Sequence, residues 1–226
     1  MNNSSEIVLL SLKIAVASTL LTTPVGIYLG WLFSRKTFPG KRILDGLVNV
    51  PLVLPPVVTG YILIIILGPA GYIGRYLNLW FGLQIAFTWK AAVAAAAIVS
   101  LPLLVRAVRV AVDSVDSKLE DAARMLRANE WQIFSSITLP LSLHGVAAGA
   151  LLAFARALGE FGATIMFASN IPGETQTISL AVFTFLNQPG GEAKVRVLIG
   201  ISIAISYVSI LVNEVLVRKL RAVHSR

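Results

Sequence analysis

Three stretches of this chain are too long and too apolar to be helices of a water-soluble core. Glu6 is followed by an apolar run to Phe33 that only Lys13 interrupts, and neither Gly46–Gly74 nor Gln132–Ala155 carries a charged side chain. A helix needs about 20 mostly apolar residues to cross a bilayer. Only 13% of the residues are charged and the mean hydropathy is +0.80, against roughly 25% charged in soluble domains. A backbone in lipid must satisfy its own N–H and C=O groups, which leaves helices or a closed barrel. Runs of this length predict an all-α polytopic membrane protein with spans at about 7–33, 45–68, 86–108, 137–166 and 197–217. The first run lacks a basic leader and is longer than the roughly 7–15 residues of a signal-peptide core, so it reads as a retained span.

The placement of charge sets the expected sidedness. Arg35, Lys36, Lys41 and Arg42 fill the first connection, and Arg106, Arg109, Lys118, Arg124 and Arg127 cluster around the third. Arg218, Lys219, Arg221 and Arg226 form the tail. Lys and Arg gather on the cytoplasmic side. Alternate connections are basic, so the N-terminus is expected outside and the C-terminus inside. The net charge of +8 is then a membrane signature, and no nucleic-acid partner is expected. Thr175–Gly190 is apolar but short, and is expected to be a half-depth or surface helix on the external face.

Several chemistries are excluded. The chain has no cysteine, and its two histidines, His144 and His224, are too far apart in sequence to suggest a metal site. No Asp pair and no H-E-x-x-H suggest an intramembrane enzyme. No G-x-x-x-x-G-K-[ST] phosphate loop occurs. Gly40-Lys41 comes closest, but Arg35 and Arg42 stand where Gly and Ser or Thr are needed.

One polar insert, at about 113–135, interrupts the apolar pattern. Ser117-Lys118-Leu119-Glu120 has the S-x-x-E form of a capping box. Leu119, Ala122, Ala123 and Leu126 follow at helical spacing as a narrow apolar stripe. Glu120, Asp121, Arg124 and Arg127 are expected on the other faces. Asn129-Glu130-Trp131-Gln132 reads as a second cap. A solvated loop helix and a docking element for a soluble partner both fit this pattern.

The stretch "EDAARMLRANEWQIFSSITLP" resembles the cytoplasmic signature of binding-protein-dependent ABC importer permeases. Asp121-Ala122-Ala123 stand at that family's E-A-A positions, and Ile137-Thr138-Leu139-Pro140 match its I-x-L-P. Asp121 replaces the usual Glu, and Arg127 stands where Gly is usual. "FPGK", "PLVLPPVVTGY", "FARALGEFGATIMFASNIPGETQTI" and "PGGE" look like the molybdate branch, with sulfate and tungstate permeases as the alternatives.

The resemblance implies a type I importer permease fold in a bacterial inner membrane. It implies a homodimer, two cytoplasmic ATPase subunits that hold ATP and Mg, and an extracytoplasmic molybdate-binding protein. This chain is expected to bind no cofactor of its own. Ser117, Leu119, Glu120, Asp121, Ala122, Ala123, Arg124, Leu126 and Arg127 would form the ATPase-coupling helix. An ATP-independent channel or secondary transporter is the distant alternative.

Two further features suggest a translocation pathway. Pro55 and Pro56 lie within the second apolar run, where proline removes a backbone donor and breaks the helix. Arg156 and Glu160, four apart in the fourth run, can pair on one helix face, and such charges face a protein interior or a wet cavity. Gly145-x-x-x-Gly149 matches a small-residue packing motif. Arg127 is expected to stay helical or exposed, with Asn129 taking the turn.

Overall fold

Close contact between helices, made possible by small residues, organises the bundle. The computed structural model describes residues 2–224, which include no β-strand. Helix α1 (Asn2–Arg35) and helix α5 (Trp89–Asp113) run parallel. Lys13 lies over the Trp89 ring at one end, and Ser34 donates to Asp113 at the other. Helix α8 (Leu139–Leu158) returns antiparallel against both. A Cβ on Gly26 would lie 2.5 Å from Leu104, and one on Gly30 2.6 Å from Val108. A Cβ on Gly145 would lie 2.2 Å from Ala111 Cβ, and one on Gly149 2.8 Å from Ala107 Cβ. The Gly145/Gly149 motif is therefore spent inside the chain, seating α8 on α5.

Helix α5 is the axis of this packing. Its most apolar stretch is 67% buried, against 11% for helix α11 (Glu192–His224). Ala91, Ala92, Ala95 and Ala96 present almost no surface. By contrast, α11 exposes Ile203, Tyr207, Val208 and Ile210. A helix that is apolar all round suits lipid or a second protein surface. Runs Ser4–Arg35, Trp89–Asp113, Glu130–Leu158 and Glu192–Val212 are each long and apolar enough to cross a membrane.

The second apolar run, expected as one span over 45–68, is two helices. The chain bends by 118° between helix α2 (Lys41–Val53) and helix α3 (Pro56–Leu67). Leu54 is extended, as a residue before proline tends to be, and Pro56 sits in the first turn of α3, where its missing N–H costs nothing. Helix α2 buries no residue and lies at the basic end, where Asp45 meets Arg109 at 3.1 Å. Pro24 and Pro102, in contrast, sit inside the unbroken helices α1 and α5.

The fourth run, expected over 137–166, also breaks. Helix α8 ends at Leu158, and a short helix α9 (Gly162–Phe167) follows. Helix α4 (Gly74–Phe81) lies between α3 and α5 in the chain. Helix α10 (Ile178–Leu186) has nine residues and does not span. Its first N–H donates to Ser11 Oγ at 2.8 Å, and its Phe185 packs with Ile7, Val195 and Leu198 at the end opposite the basic one. The end of α1 and the segment that follows α5 come together at the basic end, where Arg35 meets Glu120 at 3.0 Å and Lys36 meets Glu130 at 2.7 Å. Of the basic tail, Arg226 lies outside the described residues.

Gly145→Val should force α8 off α5 and destabilise the solubilised protein by about 1–3 kcal/mol, as overpacking does. Gly46→Ala, with no atom within 4 Å of the added carbon and a helical backbone, should instead hold or slightly raise the thermal unfolding temperature in detergent, since alanine gains up to about 1 kcal/mol over glycine in a helix.

Candidate functional site

The polar insert forms helix α6 (Ser117–Met125), a turn, and helix α7 (Glu130–Ile133). A π turn (Phe134–Thr138) then leads into α8. The cap of α6 is Asp116, whose side chain accepts from Lys118 N at 2.9 Å. Ser117 is the first helical residue, so the capping box expected there does not form. The cap lies one residue earlier because an Asp directly precedes the Ser, and Glu120 is thereby shifted beyond reach of it.

Glu120 does not share a solvated face with Asp121 either. It is 2% exposed, and it is the one buried residue of α6. Its Oε1 accepts from Arg35 Nε at 3.0 Å and from Thr138 Oγ1 at 2.7 Å. Arg35 also donates to the Val115 carbonyl at 2.9 Å. One carboxylate therefore joins α1, α6 and the π turn. Burying a charge demands such partners.

The remaining charges of the insert form a half-exposed lattice. Arg124 bonds Asp121 at 2.8 Å and Glu130 at 2.9 Å, and Lys36 bonds Glu130 at 2.7 Å. Hydrogen bonds from Arg124 and then Lys36 hold the Glu130 carboxyl down to about 2. The hydrogen bond to Glu130 is also the main reason Arg124 holds its proton more tightly than usual. Both groups lie in the polar insert, ahead of the apolar part of the following helix. This pair stays ionised across neutral pH.

The opposite side of α6 is apolar and open. Leu119, Ala122, Met125 and Leu126 are exposed, the last two at 83% and 84%, while Ala123 is half-buried. Met125 was not in the sequence stripe, although it lies three residues beyond Ala122. Ser117 and Arg127 are exposed beside this face.

Helix α6 ends in a Schellman turn. Arg127 N donates to Arg124 O at 3.0 Å, and Ala128 N to Ala123 O at 3.1 Å. Arg127 adopts φ +62°, the left-handed region. Contrary to the expectation that Asn129 would take the turn, exposed Arg127 takes it itself. The two closing hydrogen bonds offset the Cβ penalty of an L-residue. Asn129 instead caps α7, with reciprocal 2.8 Å bonds to Gln132, as the N-E-W-Q spacing implies.

A second polar feature lies inside the bundle. Arg156 Nη1 is 2.7 Å from Glu160 Oε2, and Glu160 Oε1 accepts from Ala163 N at 2.8 Å. The Glu160 side chain is 1% exposed and that of Arg156 31%. Glu160 thus fills the break between α8 and α9. The break after Leu54 lies against it. A Cβ on Gly162 would sit 2.8 Å from Pro56, and one on Gly60 2.6 Å from the Ala163 carbonyl. Pro56 and Glu160 therefore belong to one junction of two interrupted helices. Thr59, beside Gly60, has a buried hydroxyl with no hydrogen-bond partner among the described residues.

Sequence patterning missed Arg35 and Thr138, because their partner is 85 and 18 residues away. Among the described residues, no group of His, Cys, Asp and Glu could hold a metal.

Residues 22–222 match the family described as "Binding-protein-dependent transport system inner membrane component". The chain is 54% identical over 213 residues to the molybdenum transport system permease protein ModB of Escherichia coli (strain K12), covering 94% of this chain and 93% of that one. It is 32% identical over 196 residues to the sulfate transport system permease protein CysT of the same strain, covering 85% and 70%. Among solved structures, a chain of the MetNI methionine ABC transporter in inward facing conformations superposes with a TM-score of 0.70 at 16% identity, covering 97% and 94%. That likeness establishes a shared fold.

Arg127→Gly should stabilise the insert by about 1 kcal/mol, because left-handed backbone costs an L-residue roughly that much or more. Arg127→Val should destabilise it. Amide hydrogen exchange in α6 reads both changes.

Proposed function

We propose, because the chain belongs to the family of binding-protein-dependent transport system inner membrane components, that it is the membrane-spanning subunit of an ATP-driven molybdate importer. The observation that carries this reading is the shape of α6. It is an open apolar face on a polar insert, anchored to the bundle by one buried carboxylate. A solvated loop helix has no reason to expose Met125 and Leu126 while burying Glu120. A docking helix does, because its apolar residues are covered by the partner.

The partner is a cytoplasmic ATPase subunit that carries ATP and Mg. Leu119, Ala122, Met125 and Leu126 fill its groove, with Ser117, Asp121, Arg124 and Arg127 at the rim and Ala123 beneath. The basic end of the bundle then faces the cytoplasm, in keeping with the distribution of Lys and Arg. The N-terminus lies outside, in a bacterial inner membrane. Two copies of this chain, two ATPase subunits and an external molybdate-binding protein complete the transporter. The exposed apolar length of α11 suits a surface that meets lipid or the second copy.

Transport proceeds by alternating access. Closure of the ATPase pair moves the two α6 helices and rocks the spans open to the outside, and hydrolysis resets them. The junction of Pro55, Pro56, Arg156 and Glu160 lines or gates the path. Arg156 keeps part of its surface and supplies positive potential. Glu160 prevents tight anion binding, as a conduit requires. Molybdate is favoured over sulfate because the molybdenum permease is the more similar relative.

Leu126→Asp should cut co-purification of the ATPase subunit by about tenfold or more, the scale of an interface hot spot, while the permease itself remains folded. Unchanged association would remove the docking role. Arg156→Gln should slow ATP-driven uptake by the assembled complex, and normal uptake would take Arg156 out of the path.

A further inference from the structure

Resting on the importer reading, a displacement of α6 must reach the bundle through something stiff. Few routes exist. Only Ser114–Asp116 joins α5 to α6, and Leu126–Asn129 joins α6 to α7. The closest backbone approaches of α6 are to α7 and the π turn. Leu119, Ala122 and Met125 are exposed, half-exposed Arg124 reaches α7 at Glu130, and Glu120 is the one buried residue of the helix.

Three features make Glu120 more than an anchor. Its Oε1 is shared by Arg35 Nε and Thr138 Oγ1, so α1 and the π turn hold the same atom. Arg35 also grips the Val115 carbonyl, so the leading loop cannot flex independently of α1. Thr138, itself 1% exposed, is the last residue of the π turn at the root of α8. There Leu139 N reaches back five residues to Phe134 O. Such wide turns interrupt the regular helical ladder and recur at functional sites. Charge-assisted hydrogen bonds are short and directional.

We propose that Glu120 is the positioning residue that carries a displacement of α6 into α1 and α8, with Arg35 and Thr138 as its receivers. Asp121 cannot do this, because it is exposed and pairs with Arg124 on its own helix. Glu120 turns partner motion into bundle motion, and the apolar face of α6 holds the partner.

The test uses the complete transporter in proteoliposomes and reads molybdate moved per ATP hydrolysed. Glu120→Gln keeps the size and the acceptor for Thr138 but removes the charge that Arg35 holds. The complex should assemble and hydrolyse ATP, while molybdate moved per ATP falls by about fivefold or more, the low end of typical coupling factors. Asp45→Asn, which breaks an ion pair at the same end without touching α6, should leave that ratio unchanged. If hydrolysis and uptake fall together, or neither falls, Glu120 is merely structural and the proposal is overturned. Should Glu120→Gln fail to assemble, Arg35→Gln/Glu120→Gln leaves no buried unpaired charge. That variant should show the same loss, and a normal ratio in it overturns the proposal. Molybdate flux without ATP in the unaltered transporter would instead defeat the importer reading beneath it.

Discussion

Everything in this bundle depends on how closely α1 and α8 approach α5. In a membrane no hydrophobic force draws helices together, since lipid is as apolar as leucine, so packing must do it. Glycines 26, 30, 145 and 149 remove the side chains that would hold the three helices apart. The alanines of α5 complete the fit. This tight trio also fixes where the insert sits. The insert joins the end of α5 to the start of α8, beside the end of α1, so all three helices terminate at the same charged knot.

Charge is used in two ways. At the basic end, Arg35, Glu120 and Thr138 form a closed, buried connection, surrounded by a half-exposed lattice of Lys36, Arg124 and Glu130. Inside the bundle, Arg156 and Glu160 sit where two helices are interrupted and packed together. Broken backbone is tolerated at membrane depth only when protein or a cavity surrounds it. There the Glu160 carboxylate accepts from the Ala163 backbone N–H and supplies a counter-charge to Arg156. The first arrangement suits passing force, and the second suits a path that must change shape.

Much of this was legible in the sequence because the membrane imposes simple rules. Apolar length marked the membrane helices, and Pro55-Pro56 announced a helix break. The position of Gly145 and Gly149 marked a close contact. What could not be read depended on contacts distant in sequence. Nothing local distinguishes Glu120 from Asp121, yet Arg35 draws one inward and Arg124 keeps the other outside. Arg127 misled for a different reason. Its side chain argues against a left-handed turn, but the hydrogen bonds of the helix end favour it more strongly. The break at Gly159–Phe161 was hidden because its stabilising neighbour, Pro56, lies some hundred residues earlier.

Oxyanion flux through this chain should require force that arrives through α6. Radiolabelled or mass-detected molybdate uptake into proteoliposomes tests it most directly, with the permease, its ATPase and its binding protein reconstituted together. Uptake should require both ATP and the binding protein, with sulfate a poor competitor. Molybdate flux down its gradient without ATP would contradict it.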